Sequence, residues 1–143
     1  MSGPENTFIH SVHKHLPYEE AGGPYHMKNN NMYNSGIADC WYSGKRDLWI
    51  EWKFVEVPKR DDTLIDLHRG KKPAMSVLQR NWLRDRRKEG RNVWVGIGSK
   101  DGGILLTIPE AWEHPFTAKH FRTWTKTRKE LAGEILAFVQ GAA

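Results

Sequence analysis

The apolar positions along the chain switch between helical and strand spacing. Phe8, Ile9, Val12 and Leu16 recur at helical intervals, which predicts a helix from about Pro4 to Leu16. Ser2 and Glu5 have capping-box spacing at its start, and Pro17 closes it because the residue before a proline avoids the helical region. Ala21-Gly22-Gly23-Pro24 reads as a loop, and Tyr25 to Ser35 has no clear period, so it is irregular or a short strand. Gly36 to Tyr42 and Leu48 to Val57 read as two strands joined through Gly44-Lys45-Arg46. In the second, Leu48, Ile50, Trp52 and Phe54 point one way and Trp49, Glu51, Lys53 and Val55 the other. Pro58 to Lys72 is a charged connection whose patch Leu64 to Leu67 is a strand or a loop wall. A helix is predicted from about Pro73 to Lys88, with Met75, Leu78, Trp82 and Leu83 inward and Gly90 beyond its end. Val93 to Ile97 and Ile104 to Ile108 are short strands around a turn. After Pro109 the chain is helical in character, most clearly from Lys126 to Gln140, where Leu131, Ile135, Phe138 and Val139 share a face. This order predicts an α/β fold, a mixed β-sheet flanked by helices. Without a repeat or a composition break, residues 1–143 form a single domain, with a core of about 4–108 and a helical C-terminal extension of about 109–143.

Composition narrows the chemistry. A chain of 143 residues with 38% apolar residues can bury a core without staples. Its one cysteine, Cys40, excludes an intrachain disulfide and a multi-thiolate metal site. No apolar run is long enough to span a membrane, and the opening MSGPENTF lacks the features of a signal peptide, so the expectation is a soluble, cytoplasmic protein. The excess of 22 Lys and Arg over 17 Asp and Glu, a net charge of +5, suits an anionic partner such as nucleic acid.

The candidate chemistry lies in the hairpin. If its loop is the three residues Gly44 to Arg46, then Ser43 faces Asp47, Trp41 faces Trp49 and Asp39 faces Glu51. Opposed strand residues have Cβ atoms roughly 5 Å apart, where two ionised acids repel unless a cation or a proton intervenes. A divalent ion with oxygen ligands suits that pair, and Lys53 lies one strand repeat further on the same face. A loop of two or four residues shifts the register by one and sets Asp39 opposite Trp52 or Ile50 instead.

Gly36-Ile37-Ala38-Asp39, eleven intervening residues and then Glu51-Trp52-Lys53 resemble the core of the PD-(D/E)XK nuclease superfamily. The spacing to the helix from Met75 to Leu83 is similar to its VRR-NUC and Holliday-junction-resolvase-like branches, and the resemblance covers about Glu5 to Ile97. Ala38 stands where the motif name expects proline, and a bulky Trp52 fills the variable position. The resemblance implies a restriction-endonuclease-like fold and a Mg²⁺-dependent deoxyribonuclease, with Mn²⁺ as a substitute. The implied substrate is branched or junction DNA, in a phage or bacterial setting of repair and recombination, and a homodimer is in keeping with that activity. On this likeness Asp39 and Glu51 bind the metal with the Trp52 backbone carbonyl, and Lys53 positions the attacking water and offsets phosphate charge. An extra metal-binding acid from the first helix corresponds to Glu5, which shares the stripe of Phe8, Ile9 and Val12. Gln79 shares the apolar face of the later helix with Met75, Trp82 and Leu83, where a buried amide needs a partner such as a catalytic carboxylate, a water or a phosphate.

Plainer readings stand beside these. Glu5 in a first helical turn complements backbone donors and the helix dipole. Glu51 and Lys53 can be a solvated ion pair, and Gln79 can edge the core. His10, His13 and His15 lack the partners for a zinc site, Cys40 reads as a buried inert thiol, and Gly96-Ile97-Gly98 lacks a dinucleotide fingerprint. Arg80, Arg84, Arg86, Arg87, Lys88 and Arg91 form a basic run, with Arg69, Lys71 and Lys72 before it and Lys45 and Arg46 at the hairpin tip. In one cleft they would grip phosphates on both sides of the metal without reading sequence; Lys45, Arg46, Arg69, Lys71, Lys72, Arg80, Arg84 and Arg87 are the candidate contacts. The rival functions are a non-catalytic nucleic-acid-binding module and a structural assembly protein.

Overall fold

The computed structural model describes residues 3–17, 23–28, 36–71 and 73–141. Its elements run α1 (Pro4–His13), β1 (Tyr25–Lys28), β2 (Cys40–Ser43), β3 (Asp47–Phe54), β4 (Leu64–Ile65), α2 (Val77–Lys88), β5 (Val93–Ser99) and β6 (Gly102–Leu106), followed by α3 (Pro109–Glu113), β7 (Phe116–Thr117), α4 (Ala118–Trp124) and α5 (Arg128–Val139). Five strands form one mixed sheet in the order β1-β2-β3-β5-β6, and β4 pairs with β7 apart from it. The β3–β5 pair is parallel and the other neighbours are antiparallel. The expected α/β sheet flanked by helices is therefore present.

The hairpin takes the three-residue register: Ser43 faces Asp47, Trp41 faces Trp49 and Cys40 faces Ile50. Strand alternation then divides β3 between two cores. Leu48, Ile50 and Trp52 pack with Phe8, Ile9 and Val12 of α1 and with Leu131, Ile135 and Val139 of α5. Trp49 and Val55 face the other cluster, which holds Leu83 and Trp82 of α2, Trp112 and Phe121. Residues beyond Pro109 thus supply parts of both cores. Gly96 and Gly98 of β5 make room for the first cluster, since a Cβ at Gly96 would lie 2.4 Å from the Trp52 ring and one at Gly98 2.5 Å from the Phe8 ring.

Several boundaries differ from the sequence expectation. The first helix stops at His13, and Leu16 reaches the core from the turn that follows. Its N-cap is Gly3, without a side-chain cap, and Ser2 lies outside the described residues. The unpatterned stretch yields β1, while residues 29–35 lie outside the described set. The later helix begins at Val77 because Ser76 and Gln79 close a reciprocal capping box. Leu78 does not face inward but is 57% exposed. Helical phase explains this: Leu78 lies about 140° around the helix from buried Leu83, and Gln79 only about 40°. Among the described residues no helix is long and apolar enough to cross a membrane.

Candidate active site

Asp39 stands one residue before the first ladder pair of β2, where β3 continues past its neighbour. There Trp52 donates its backbone N–H to Asp39 Oδ2 at 3.0 Å, which draws the Asp39 carboxylate to the β3 edge beside Glu51. The N–H and C=O of one strand residue point to the same edge, so the Trp52 carbonyl faces the Asp39 side as well. Glu51 is 1% exposed, at the centre of the sheet, with its Oε2 3.1 Å from Lys53 Nζ. Gln79 locks the two together. Its Nε2 donates to Glu51 Oε2 at 2.9 Å, and its Oε1 accepts from Lys53 Nζ at 3.1 Å. The same Oε1 accepts the Ser76 backbone N–H at 2.9 Å, so the capping box that starts α2 also aims Gln79 at the acids.

The charge balance of this cluster is strained. Burial pushes the Glu51 carboxyl up to about 8, and the Asp39 charge pushes the same way while Lys53 opposes both. Asp39 is raised by burial too, against the Trp52 N–H and the Lys53 charge. Glu5 is raised by burial and then by Asp39, and Lys53 lowers it, which places the α1 carboxylate within electrostatic reach of the pair. Glu51 Oε1 is buried with no hydrogen-bond partner. An unpaired buried carboxylate oxygen facing a second acid is the donor set of a hard cation. Among the described residues no three His, Cys, Asp or Glu side chains gather closely enough to hold a metal by themselves. Glu5, expected as a further ligand, does not join Asp39 and Glu51 in such a group; the oxygens at hand are two carboxylates and one carbonyl, a set compatible with Mg²⁺, an ion that retains waters and takes substrate oxygens.

Neither a family model nor a curated protein matches this sequence. The fold is similar to that of a Holliday junction resolvase. That solved structure, of Hjc from Archaeoglobus fulgidus, superposes with a TM-score of 0.53 over 90% of this chain and 95% of the resolvase chain, at 15% identity. At that identity the likeness speaks for the fold, and nothing in it singles out the VRR-NUC branch.

Among the basic candidates, Arg80, Arg84 and Arg87 fall on one helical stripe of α2, and the hairpin pair lies elsewhere. Lys45 and Arg46 sit at the hairpin tip, roughly 15 Å along the strand from Glu51. There Arg46 stacks over Phe138 at 5.0 Å and its N–H meets the Val139 carbonyl, so the tip is fastened to the end of α5 and does not line the acid cluster. Arg69 pairs with Asp66, Arg84 with Asp85, and Arg87 donates to the Thr107 carbonyl. Arg80 and Lys71 are exposed, and Lys72 lies outside the described residues.

A buried polar chain escaped the sequence reading. Trp52 Nε1 donates to Tyr42 Oη at 3.1 Å, and His13 Nε2 lies 2.7 Å from the same oxygen. Indole N–H can only donate, so Tyr42 Oη accepts from Trp52, and the His13 tautomer sets the direction of the bond between Tyr42 and the imidazole. Burial and the neighbouring His26 and His10 hold His13 down at about 3, hence neutral. The chain ties α1, which carries Glu5, to the strand that carries Glu51 and Lys53. No local signal marks it, because its three members are brought together only by the packing of α1 on the sheet. Cys40 is buried on that side of the sheet, its thiol pushed up to about 12 by desolvation, which makes it inert.

Proposed function

We propose that this protein is a metal-dependent endonuclease that hydrolyses DNA phosphodiester bonds, with branched or junction DNA as the preferred substrate, in phage or bacterial repair and recombination. The observation that carries the reading is the meeting of Asp39 and Glu51 at the open end of the β2–β3 pair, with Lys53 and Gln79 bound to Glu51. The resolvase-like fold supports it.

Asp39, Glu51 and the Trp52 carbonyl would hold Mg²⁺ or Mn²⁺. A bound divalent ion there supplies a water acidic enough to attack at neutral pH and offsets the charge that builds on the phosphoryl oxygens. The chain's own residues do the rest. Lys53, 12% exposed, has its ammonium aligned by Glu51 and Gln79 and presents a positive charge toward the site, where it orients the attacking water and draws a phosphate oxygen. Gln79 carries no charge of its own and fixes the Glu51 and Lys53 rotamers against one another. Glu5 adds negative potential from α1, which strengthens the attraction of the acid pair for positive charge.

Plasmid nicking with and without Mg²⁺ tests the reading. Cleavage that requires the metal and falls by on the order of a hundredfold or more in Asp39→Ala and in Lys53→Ala is expected. DNA binding without cleavage of linear, nicked or four-way substrates would instead identify a binding module, and absence of both would leave an assembly role.

A further inference from the structure

One strand repeat from the acid pair, on the same face of the sheet, lies a row of rings that the cleavage chemistry does not use. Cross-strand pairing sets Met27 beside Trp41 and Trp41 beside Trp49. Ring contacts extend the row at both ends, from Tyr25 to Trp41 at 5.6 Å and from Trp49 to Trp82 of α2 at 5.4 Å. Helices α2, α3 and α4 pack over β5 and β6, and among the described residues the β1–β2 half of this face is less covered: Tyr25 is 42% and Met27 40% exposed. The Trp41 indole is held in place by its N–H on Asp47 Oδ2 at 3.3 Å.

Resting on the nuclease reading above, we propose that this row is a stacking platform for unpaired nucleobases next to the scissile phosphate, and that the preferred substrate therefore carries a single-stranded segment at the cleavage point. Three observations select this occupant. The row adjoins the Asp39–Glu51 pair by one strand repeat, roughly 7 Å, within the reach of a neighbouring nucleotide. Its members are mostly planar rings with one fixed indole, which suits base faces, whereas a duplex offers a protein only its groove edges and backbone. Exposed Arg80 and Arg84 on α2 and the net charge of +5 favour a polyanion over a second copy of the same basic chain.

The test uses the full chain in metal-free buffer, with a short labelled oligothymidylate, a blunt duplex and a duplex carrying a single-stranded flap. Wild type is expected to bind the oligothymidylate and the flap more tightly than the duplex, with quenching of Trp fluorescence. Tyr25→Leu and Trp41→Leu are expected to weaken single-strand binding roughly tenfold each, leave duplex binding within about twofold, and Trp41→Phe to retain affinity. Tyr25 is exposed, so its variant reports on stacking even if Trp41→Leu fails to fold. Equal affinity for all three ligands, or Leu variants that bind as wild type does, overturns the platform. So does a wild-type dimer in sedimentation that the Leu variants dissociate without loss of single-strand affinity. Metal-dependent plasmid cleavage that persists alongside such a result leaves the nuclease reading standing; absence of any binding or cleavage removes both.

Discussion

A carboxyl group 1% exposed, with a second acid alongside, is costly to ionise, and Lys53 relieves only part of that cost, which is why Glu51 is raised to about 8. Gln79 is the side chain that connects this electrostatic problem to helix formation. Its amide serves the cap of α2 through Oε1 and the acid through Nε2. The two duties separate experimentally. Ser76→Ala and Gln79→Ala each remove half of the capping box and are expected to lower stability by about 1 kcal/mol in thermal unfolding. Only Gln79→Ala is also expected to reduce cleavage, because Glu51 and Lys53 lose their shared partner; equal cleavage in the two variants would show that Gln79 only caps. The E-x-K spacing and the inward phase of Gln79 were legible from local periodicity. That one amide oxygen serves both the helix start and Lys53 was not, since it depends on where α2 lands on the sheet.

At the scale of elements, the hairpin is the part most legible in advance. A three-residue connection leaves one register, and that register sets Trp41 against Trp49 and brings Asp39 to the edge of β3 near Glu51. The parallel neighbour β5 is built around the same residues: Gly96 meets the Trp52 ring and Gly98 the Phe8 ring, so the bulky residue at the variable position of the motif fits because its neighbour has no side chain. Gly96→Ala is expected to destabilise the fold by roughly 1–3 kcal/mol through overpacking, and to displace Trp52, whose backbone holds Asp39. Thermal unfolding and nicking on the same samples check this; unchanged melting would show that the Trp52 ring can yield at no cost. The outward Leu78 shows the opposite case. An apolar residue in a helical run looked like core, and its helical phase, about 140° from buried Leu83, turns it to the surface.

Over the whole molecule, the buried titratable groups predict a stability curve with two limbs. His13 is held at about 3 when folded against 6.5 when free, so the unfolded chain binds the extra proton between those values, and stability is lost as pH falls from 6.5 toward 3. Glu51, at about 8 against 4.5, has the opposite sign: the folded state keeps the proton longer, and stability falls as pH rises from 4.5 to 8. The two oppose each other below 6.5, and between 6.5 and 8 His13 no longer offsets Glu51, so metal-free protein is expected to lose on the order of 1–2 kcal/mol there. Glu5 and Asp39, both raised, act in the same direction as Glu51. Denaturant unfolding in chelator should show this decline, and Glu51→Gln should flatten it. A flat wild-type profile across that window would mean that Glu51 is already ionised in the metal-free protein.

Strand alternation, the hairpin register and the acid–lysine spacing follow from contacts between residues close in sequence, where turn length and a period of two leave few alternatives. From these the hairpin and, for a three-residue loop, the approach of Asp39 to Glu51 could be read from sequence, while the nuclease chemistry came from the resemblance. Tertiary structure alone decided that α1 and α5 share one face of the sheet, that His13 and Tyr42 anchor the far side of Trp52, and that the hairpin tip is tied to α5 and stays clear of the acid cluster. Such placements depend on how whole surfaces fit together across long stretches of chain, and no short window of sequence contains both sides of that fit.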